Sequence, residues 1–161
     1  MSKKCAIALG SNLGDSLNIL ETTITLLSQH PYLELIGHSP WYKTTPIGPL
    51  QPNYLNGCAI LETSLTPEDL LQTLLSIEQK FGRIRREKWG PRTLDLDLLL
   101  YGDLILDTPN LTIPHPLMLD RAFVLVPLAD IAATWVHPMT KKMIQEHLKG
   151  LNCEGVQPLI S

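Results

Sequence analysis

From Thr93 to Tyr101 the chain reads Thr-Leu-Asp-Leu-Asp-Leu-Leu-Leu-Tyr, with a leucine at every second position. Period two marks a strand with one buried face, because successive side chains leave a strand on opposite sides. The spacing predicts Leu94, Leu96, Leu98 and Leu100 in a core, and Asp95, Asp97, Leu99 and Tyr101 on the opposite face. Two carboxylates then stand side by side, their Cα atoms about 6.5–7 Å apart. Ionised together they repel, which weakens the strand unless something offsets the charge. Two solvated acids on a half-exposed strand are one outcome; a divalent cation between them is the other.

The segments around this strand set its context. Cys5 to Leu9 reads as a short buried strand, and Gly10 to Asp15 as a turn. Leu17, Leu20, Ile24 and Leu27 recur at helical spacing, so a helix is predicted from Ser16 to about Gln29, ended by Pro31. Leu33 to Lys43 looks extended, with Pro40 marking a bulge or an edge. Thr45 to Pro52 holds three prolines and a glycine and reads as a stiff loop. A strand returns from Tyr54 to Glu62. Thr66-Pro67-Glu68-Asp69 is a helix start with cap, N-terminal proline and acids in place. Leu70, Leu74, Ile77 and Phe81 form its apolar stripe and Gly82 is placed to end it. Beyond Tyr101, proline-punctuated loops alternate with short helical patterns, among them Thr140 to Lys149, and the tail after Gly150 shows no period. The order strand, helix, strand, strand, helix, strand predicts an α+β, ferredoxin-like sandwich: a mainly antiparallel sheet with helices packed on it. With 161 residues and no repeat or linker, one domain over 1–161 is the economical expectation, its tail from 151 peripheral.

Charge narrows the function classes. The chain carries −3 overall, yet Lys80, Arg83, Arg85, Arg86, Lys88 and Arg92 fall within 13 positions with only Glu87 opposing them. That window is +5, leaving −8 elsewhere. A local basic patch on an acidic protein suits a small polyanion better than a long nucleic acid. A solvated charged loop is the bland alternative. Cys5, Cys58 and Cys153 are scattered and odd in number, which argues against a disulfide framework and a zinc site. No run of 18 apolar residues predicts a membrane span, and the run before Gly10 is too short for a signal peptide, so a cytoplasmic protein is expected.

Arginines beside paired carboxylates are the parts of a phosphoryl-transfer site. Guanidinium groups fork onto phosphate oxygens, and Mg²⁺ accepts a few hard oxygen ligands when phosphates complete its shell. Gly90-Pro91 makes a turn that aims Arg92 back over the strand. The same carboxylates also suit a metal-dependent nuclease or nucleotidyl transferase, and a ferredoxin-like sheet also serves RNA-binding domains. Gly10 to Asp15 follows a strand and opens a helix, but no Gly-Lys-Ser/Thr makes it a P-loop.

Lys88-Trp89-Gly90-Pro91-Arg92-Thr93-Leu94-Asp95-Leu96-Asp97-Leu98-Leu99 resembles the signature of the 6-hydroxymethyl-7,8-dihydropterin pyrophosphokinase family of folate biosynthesis. Gly10 to Gly14, Thr44 to Gly48, Gln51 to Asn56, Leu111 to His115 and Arg121 to Phe123 resemble further family segments in the same order. The resemblance implies transfer of pyrophosphate from ATP to the hydroxymethyl group of 6-hydroxymethyl-7,8-dihydropterin, releasing AMP, on a ferredoxin-like fold. By the same resemblance Asp95 and Asp97 hold two Mg²⁺ ions with ATP, and Arg83 and Arg92 neutralise the transferring group. Tyr54 and Phe123 sandwich the pterin, Asn56 bonds its edge, and Thr44, Pro46 and Ile47 help. Glu78, Leu98, Thr112, His115 and Arg121 line the nucleotide side, and Trp89 rides a loop that closes over both substrates. Arg85 and Arg86 receive no role. A monomer acting on small molecules, with neither nucleic acid nor membrane as partner, is the expectation.

Overall fold

The computed structural model describes residues 2–12, 15–44, 54–81 and 93–159. Its main sheet begins with β1 (Lys3–Ser11), followed by helix α1 (Ser16–Gln29). Next come β2 (Glu34–His38), β3 (Tyr42–Thr44), β4 (Tyr54–Thr63), helix α2 (Pro67–Lys80) and β5 (Asp95–Tyr101). A small hairpin of β6 (Leu106–Asp107) and β7 (Thr112–Ile113) leads to helix α3 (Ala122–Ala132), helix α4 (Ile144–Lys149) and β8 (Val156–Pro158). The sheet order is β5-β1-β4-β3-β8, with β2 beside β3 on the same flank of β4, and every pairing is antiparallel. Counting β2 and β3 as one interrupted strand, this is the predicted ferredoxin-like order.

The interruption has a local cause. Pro40 has no N–H to give to a ladder. Ser39 closes the gap: its N–H donates to Cys58 O at 2.8 Å, and its hydroxyl oxygen accepts from Cys58 N–H at 2.9 Å. The chain then turns Trp41 into the core, flat against the sheet at Gly57, where a Cβ would lie 2.5 Å from the indole.

Both predicted helices form where expected. Asp15 accepts from Asn18 N–H and caps α1; Thr66 accepts from Asp69 N–H and caps α2, with Glu68 and Asp69 at its positive end and Lys80 at its negative end. Their stripes, Leu20, Ile24 and Leu27 with Leu70, Leu74 and Ile77, bury against Cys5, Ile7, Leu9 and Leu61 on one sheet face. Leu17 is exposed rather than part of the stripe. Gly82 lies outside the described residues.

Three further expectations need correction. Gly10 and Ser11 are not a turn; they extend β1. The pattern from Thr140 yields helix only from Ile144, because Val136 bridges Met143 and the ring of His137 fastens the intervening turn through Met139 N–H and Thr140 N–H. The alternation of β5 also breaks. Ala6 pairs with Leu100 and Ile7 with Leu98, so Leu99 is an extra residue, a β-bulge. Leu94, Leu96 and Leu98 enter the α1–α2 core as predicted, but Leu100 joins Leu99 on the other face and Tyr101 returns to the first core.

That other face is covered by a layer the periodicity does not announce. Val124, Leu125, Leu128 and Ala132 of α3, with Ile144 of α4, pack on Ala6, Ala8, Cys58, Ile60, Leu99 and Leu100. Small side chains at Ala6, Ala8 and Cys58 let α3 lie close to the sheet, close enough for the Cys58 thiol to donate to Val124 O at 3.5 Å. Past α4, β8 adds a strand outside β3, pairing Val156 to Pro158 with Thr44 to Tyr42.

Candidate active site

Strand alternation places Asp95 and Asp97 on the α3 face of the sheet, both half-buried, opposite Gly10 and Ala8 of β1. Gly10 is in turn the partner of Asn56 in β4, and Asn56 of Tyr42 in β3. Asp95, Gly10, Asn56 and Tyr42 therefore form one row across four strands, on the face that α3 covers farther along. Neighbouring strands lie about 4.8 Å apart, so Asp95 and Asn56 stand roughly 10 Å from each other with only a glycine between them.

The Gly10 position is close to its steric limit. A Cβ there would lie 3.1 Å from Asn56 Oδ1. Asn56 is 6% exposed, and its Nδ2 donates to Thr44 Oγ1 at 3.1 Å. One polar edge, Asn56 with Thr44, thus faces a carboxylate pair across bare backbone. Tyr54, two residues before Asn56, is half-buried at the start of β4. Phe123 sits in the first turn of α3, half-buried, with the Arg121 guanidinium 5.6 Å from its ring centroid.

Because β5 is the sheet's edge on this side, residues from both of its faces reach a cleft of about 270 Å³ along it. Asp97 and Leu98 line it together with Leu71 of α2 and with Asn110, Thr112 and His115 from the chain around β7. His115 is anchored there: its N–H donates to Leu99 O at 3.0 Å, at the bulge, and its Nδ1 accepts from Leu117 N–H at 3.1 Å. The ring proton therefore resides on Nε2 when the imidazole is neutral. Burial lowers the His115 pKa below its ordinary 6.5; the Asp97 carboxylate pulls it up and Arg121 pushes it down. Asp97, His115 and Arg121 thus share one electrostatic neighbourhood.

Glu78 occupies a different kind of place. It is 2% exposed and its Oε2 accepts from Leu96 N–H at 2.7 Å, tying α2 to β5 beneath the cleft. Arg83, Arg85, Arg86, Trp89 and Arg92, and with them Pro46 and Ile47, lie outside the described residues. Among those singled out in the sequence, Asp95, Asp97, Thr44, Asn56 and Tyr54 share the α3 face of the sheet by strand register, and Phe123 lies on α3 itself. Leu98, Thr112 and His115 line the cleft at the adjoining edge, and the Arg121 charge is felt at His115. Gly10 as spacer and Tyr42 as neighbour of Asn56 were not singled out. The small residues at alternate positions, Ala6, Ala8 and Gly10, were the available sign that this face of β1 is kept low.

The donor set is compatible with Mg²⁺. Two carboxylates share a face without a sulfur ligand, and hard oxygens in small number leave coordination positions for phosphate. Among the described residues no group of three or more His, Cys, Asp and Glu is placed to hold a metal ion.

Fold and site together define a class: a ferredoxin-like α+β protein with a carboxylate pair and an amide–hydroxyl pair on one sheet face. Residues 6–133 match the family model described as 7,8-dihydro-6-hydroxymethylpterin-pyrophosphokinase. The 2-amino-4-hydroxy-6-hydroxymethyldihydropteridine pyrophosphokinase of Synechocystis sp. is 52% identical over 153 residues, 95% of this chain and 78% of the relative. Its namesake in Pseudomonas aeruginosa is 42% identical over 160 residues, 99% of this chain and 98% of the relative. The chain belongs to the 7,8-dihydro-6-hydroxymethylpterin-pyrophosphokinase family. Among solved structures, wild-type Plasmodium falciparum HPPK-DHPS with pterin and p-hydroxybenzoate superposes with a TM-score of 0.78 at 15% identity. That match covers 100% of this chain and 46% of the solved one, so this chain spans less than half of that protein, and the likeness speaks for the fold.

Proposed function

We propose that this chain transfers pyrophosphate from ATP to the hydroxymethyl group of 6-hydroxymethyl-7,8-dihydropterin, releasing AMP, in folate biosynthesis. The family and the names of its relatives support pyrophosphoryl transfer to that pterin. The observation that carries the reading is the row Asp95–Gly10–Asn56. It sets the Asn56 amide and the Asp95 carboxylate on one surface, roughly 10 Å apart. That distance accommodates the exocyclic carbon of a bicyclic ring at one end and a phosphate chain at the other.

In this reading Asn56 and Thr44 hydrogen-bond the pterin's polar edge, and Tyr54 and Phe123 stack on its faces. A site that pairs each polar edge group rejects analogues lacking one by on the order of 10⁴-fold. Stacked aromatics add about 1–3 kcal/mol per ring, by analogy with nucleobases. The Arg121 guanidinium near Phe123 places positive charge close to where the ring meets the phosphates. His115, neutral above its lowered pKa, donates from Nε2, and Leu98 and Thr112 complete the nucleotide side. Glu78 acts beneath them by holding the β5 backbone. By the family resemblance, Arg83 and Arg92 neutralise the transferring group, Trp89 contacts both substrates, and Pro46 and Ile47 help bind the pterin edge. Asp95 and Asp97 would hold two Mg²⁺ ions, which supply charge neutralisation of the triphosphate.

The hydroxymethyl oxygen forms a bond to the β-phosphorus while the bond from that phosphorus to the α,β-bridging oxygen breaks. AMP leaves, and the hydroxyl proton passes to solvent. Catalysis of this kind is positioning plus charge stabilisation, and it needs no general base placed by the protein. No helix among the described residues is long and apolar enough to cross a membrane, and a cytoplasmic location accompanies the use of ATP.

Calorimetry with pterin, Mg²⁺ and a non-hydrolysable ATP analogue tests the acceptor half. Saturable pterin binding, with no heat from a single-stranded oligonucleotide, is the expected outcome. Oligonucleotide binding without pterin binding would replace the reading with a nucleic-acid enzyme.

A further inference from the structure

Tyr42 is 9% exposed, and its hydroxyl donates a hydrogen bond to the Asp130 carboxylate of α3, 88 residues away. Asp130 belongs to the last turn of α3, which carries no basic residue. An acid there opposes the helix dipole and weakens the isolated helix, so its contribution must come from elsewhere. Its carboxylate also lies near Cys58 and helps push that buried thiol's pKa upward, as it does for Tyr42, whose pKa rises to about 12 chiefly through burial. Asp130 thus hangs over Tyr42 and Cys58, the residues flanking Asn56 across and along the sheet.

We propose that Tyr42 and Asp130 are a positioning pair that sets the width of the acceptor pocket. The pocket has two walls on different elements. Thr44 and Asn56 stand on β3 and β4, and Phe123 stands on α3. Among the described residues two side-chain hydrogen bonds pin α3 to the sheet: Cys58 to Val124 O beside Phe123, and Tyr42 to Asp130 six residues on. Six residues of helix span about 9 Å, so the second bond fixes the tilt of α3, and with it the gap between Phe123 and the sheet. Tyr42 is also the register partner of Asn56 in the β3–β4 ladder, two residues before the Thr44 that Asn56 bonds. Neither residue touches the β5 edge cleft, so the pair acts on the acceptor and not on the nucleotide.

This inference rests on the pterin reading above, and the test separates the two. Steady-state kinetics of wild type, Tyr42→Phe, Asp130→Asn and Asp130→Ala are measured with each substrate varied in turn, beside a thermal melt of each protein. Tyr42→Phe and Asp130→Ala should raise the pterin KM about tenfold, the loss of one charge-assisted bond. Their ATP KM and kcat should stay within about twofold, since the nucleotide cleft is untouched. Asp130→Asn should remain near wild type, because its amide oxygen still accepts from the phenol. A role in stability alone would lower the melting temperature and leave both KM values in place. An unchanged pterin KM in Tyr42→Phe, a parallel shift in both KM values, or an Asp130→Asn as impaired as Asp130→Ala would overturn the pair while leaving the pterin reading intact. A folded wild type that turns over no pterin would overturn both.

Discussion

Gly10 and Asn56 face each other across β1 and β4 so closely that a methyl group on Gly10 would stand 3.1 Å from Asn56 Oδ1. The contact lies on the line from the acceptor's amide to the Asp95 carboxylate. Gly10→Ala should therefore tilt the Asn56 amide and weaken pterin binding by about tenfold, a cost of about 1–2 kcal/mol. ATP-analogue affinity should stay close to wild type. Calorimetry with each ligand checks this, and equal losses for both would mean that the strand pair itself had shifted.

Asp97 shows the opposite balance between folding and function. Its side chain is half-buried beside Asp95 and lines the cleft, and the strand's core contacts belong to Leu96 and Leu98. Asp97→Ala should fold with an undiminished melting temperature, since it removes a like-charge neighbour. Turnover should fall at least about a hundredfold, as when one electrostatic partner of a transferring group is lost. Near-normal AMP production by the folded variant would take Asp97 out of the metal site.

The His137 ring makes stability depend on pH. Its Nδ1 accepts from Met139 N–H at 3.2 Å and Thr140 N–H at 3.3 Å, and the T-shaped His147 ring stands 5.9 Å away. Burial, then the His147 charge, hold its pKa below the ordinary 6.5. The unfolded chain then takes up the proton at a higher pH than the folded one. Stability is complete above 6.5 and declines as pH falls toward the folded pKa. His115, also lowered, adds a slope of the same sign. Urea midpoints measured from pH 7.5 to pH 5 should fall in wild type and fall less in His137→Gln. A midpoint independent of pH in wild type would contradict the assignment.

Much of this arrangement is legible in the sequence because the physics there is local. The cap at Thr66, the proline at Pro67 and the stripe through Leu70, Leu74 and Ile77 each act within a few residues, and α2 follows them. The carboxylate pair is legible for the same reason, since period two acts between Asp95 and Asp97 alone. The bulge at Leu99 is not, because it is set by how Ala6 and Ile7 meet β5 from the far end of the chain. That one slip sends Leu100 to the α3 core and returns Tyr101 to the other. Helix α3 escapes notice because its run from Ala122 is apolar nearly all round, without a stripe, and is broken by Pro127. Its place above Cys58 and Tyr42, and so the pocket wall carrying Phe123, depends on contacts more than 60 residues apart in the chain. The glycine spacer was visible as a letter, but its use appeared only when β1 was seen between Asp95 and Asn56.

The central claim is that both ends of that row serve one reaction, pyrophosphate transfer to a pterin alcohol. The most direct measurement is the nucleotide product after the chain is incubated with ATP, Mg²⁺ and 6-hydroxymethyl-7,8-dihydropterin. The account predicts AMP, in equal amount to a diphosphorylated pterin and only when the pterin is present. ADP as the sole product, or AMP formed without the pterin, would contradict it.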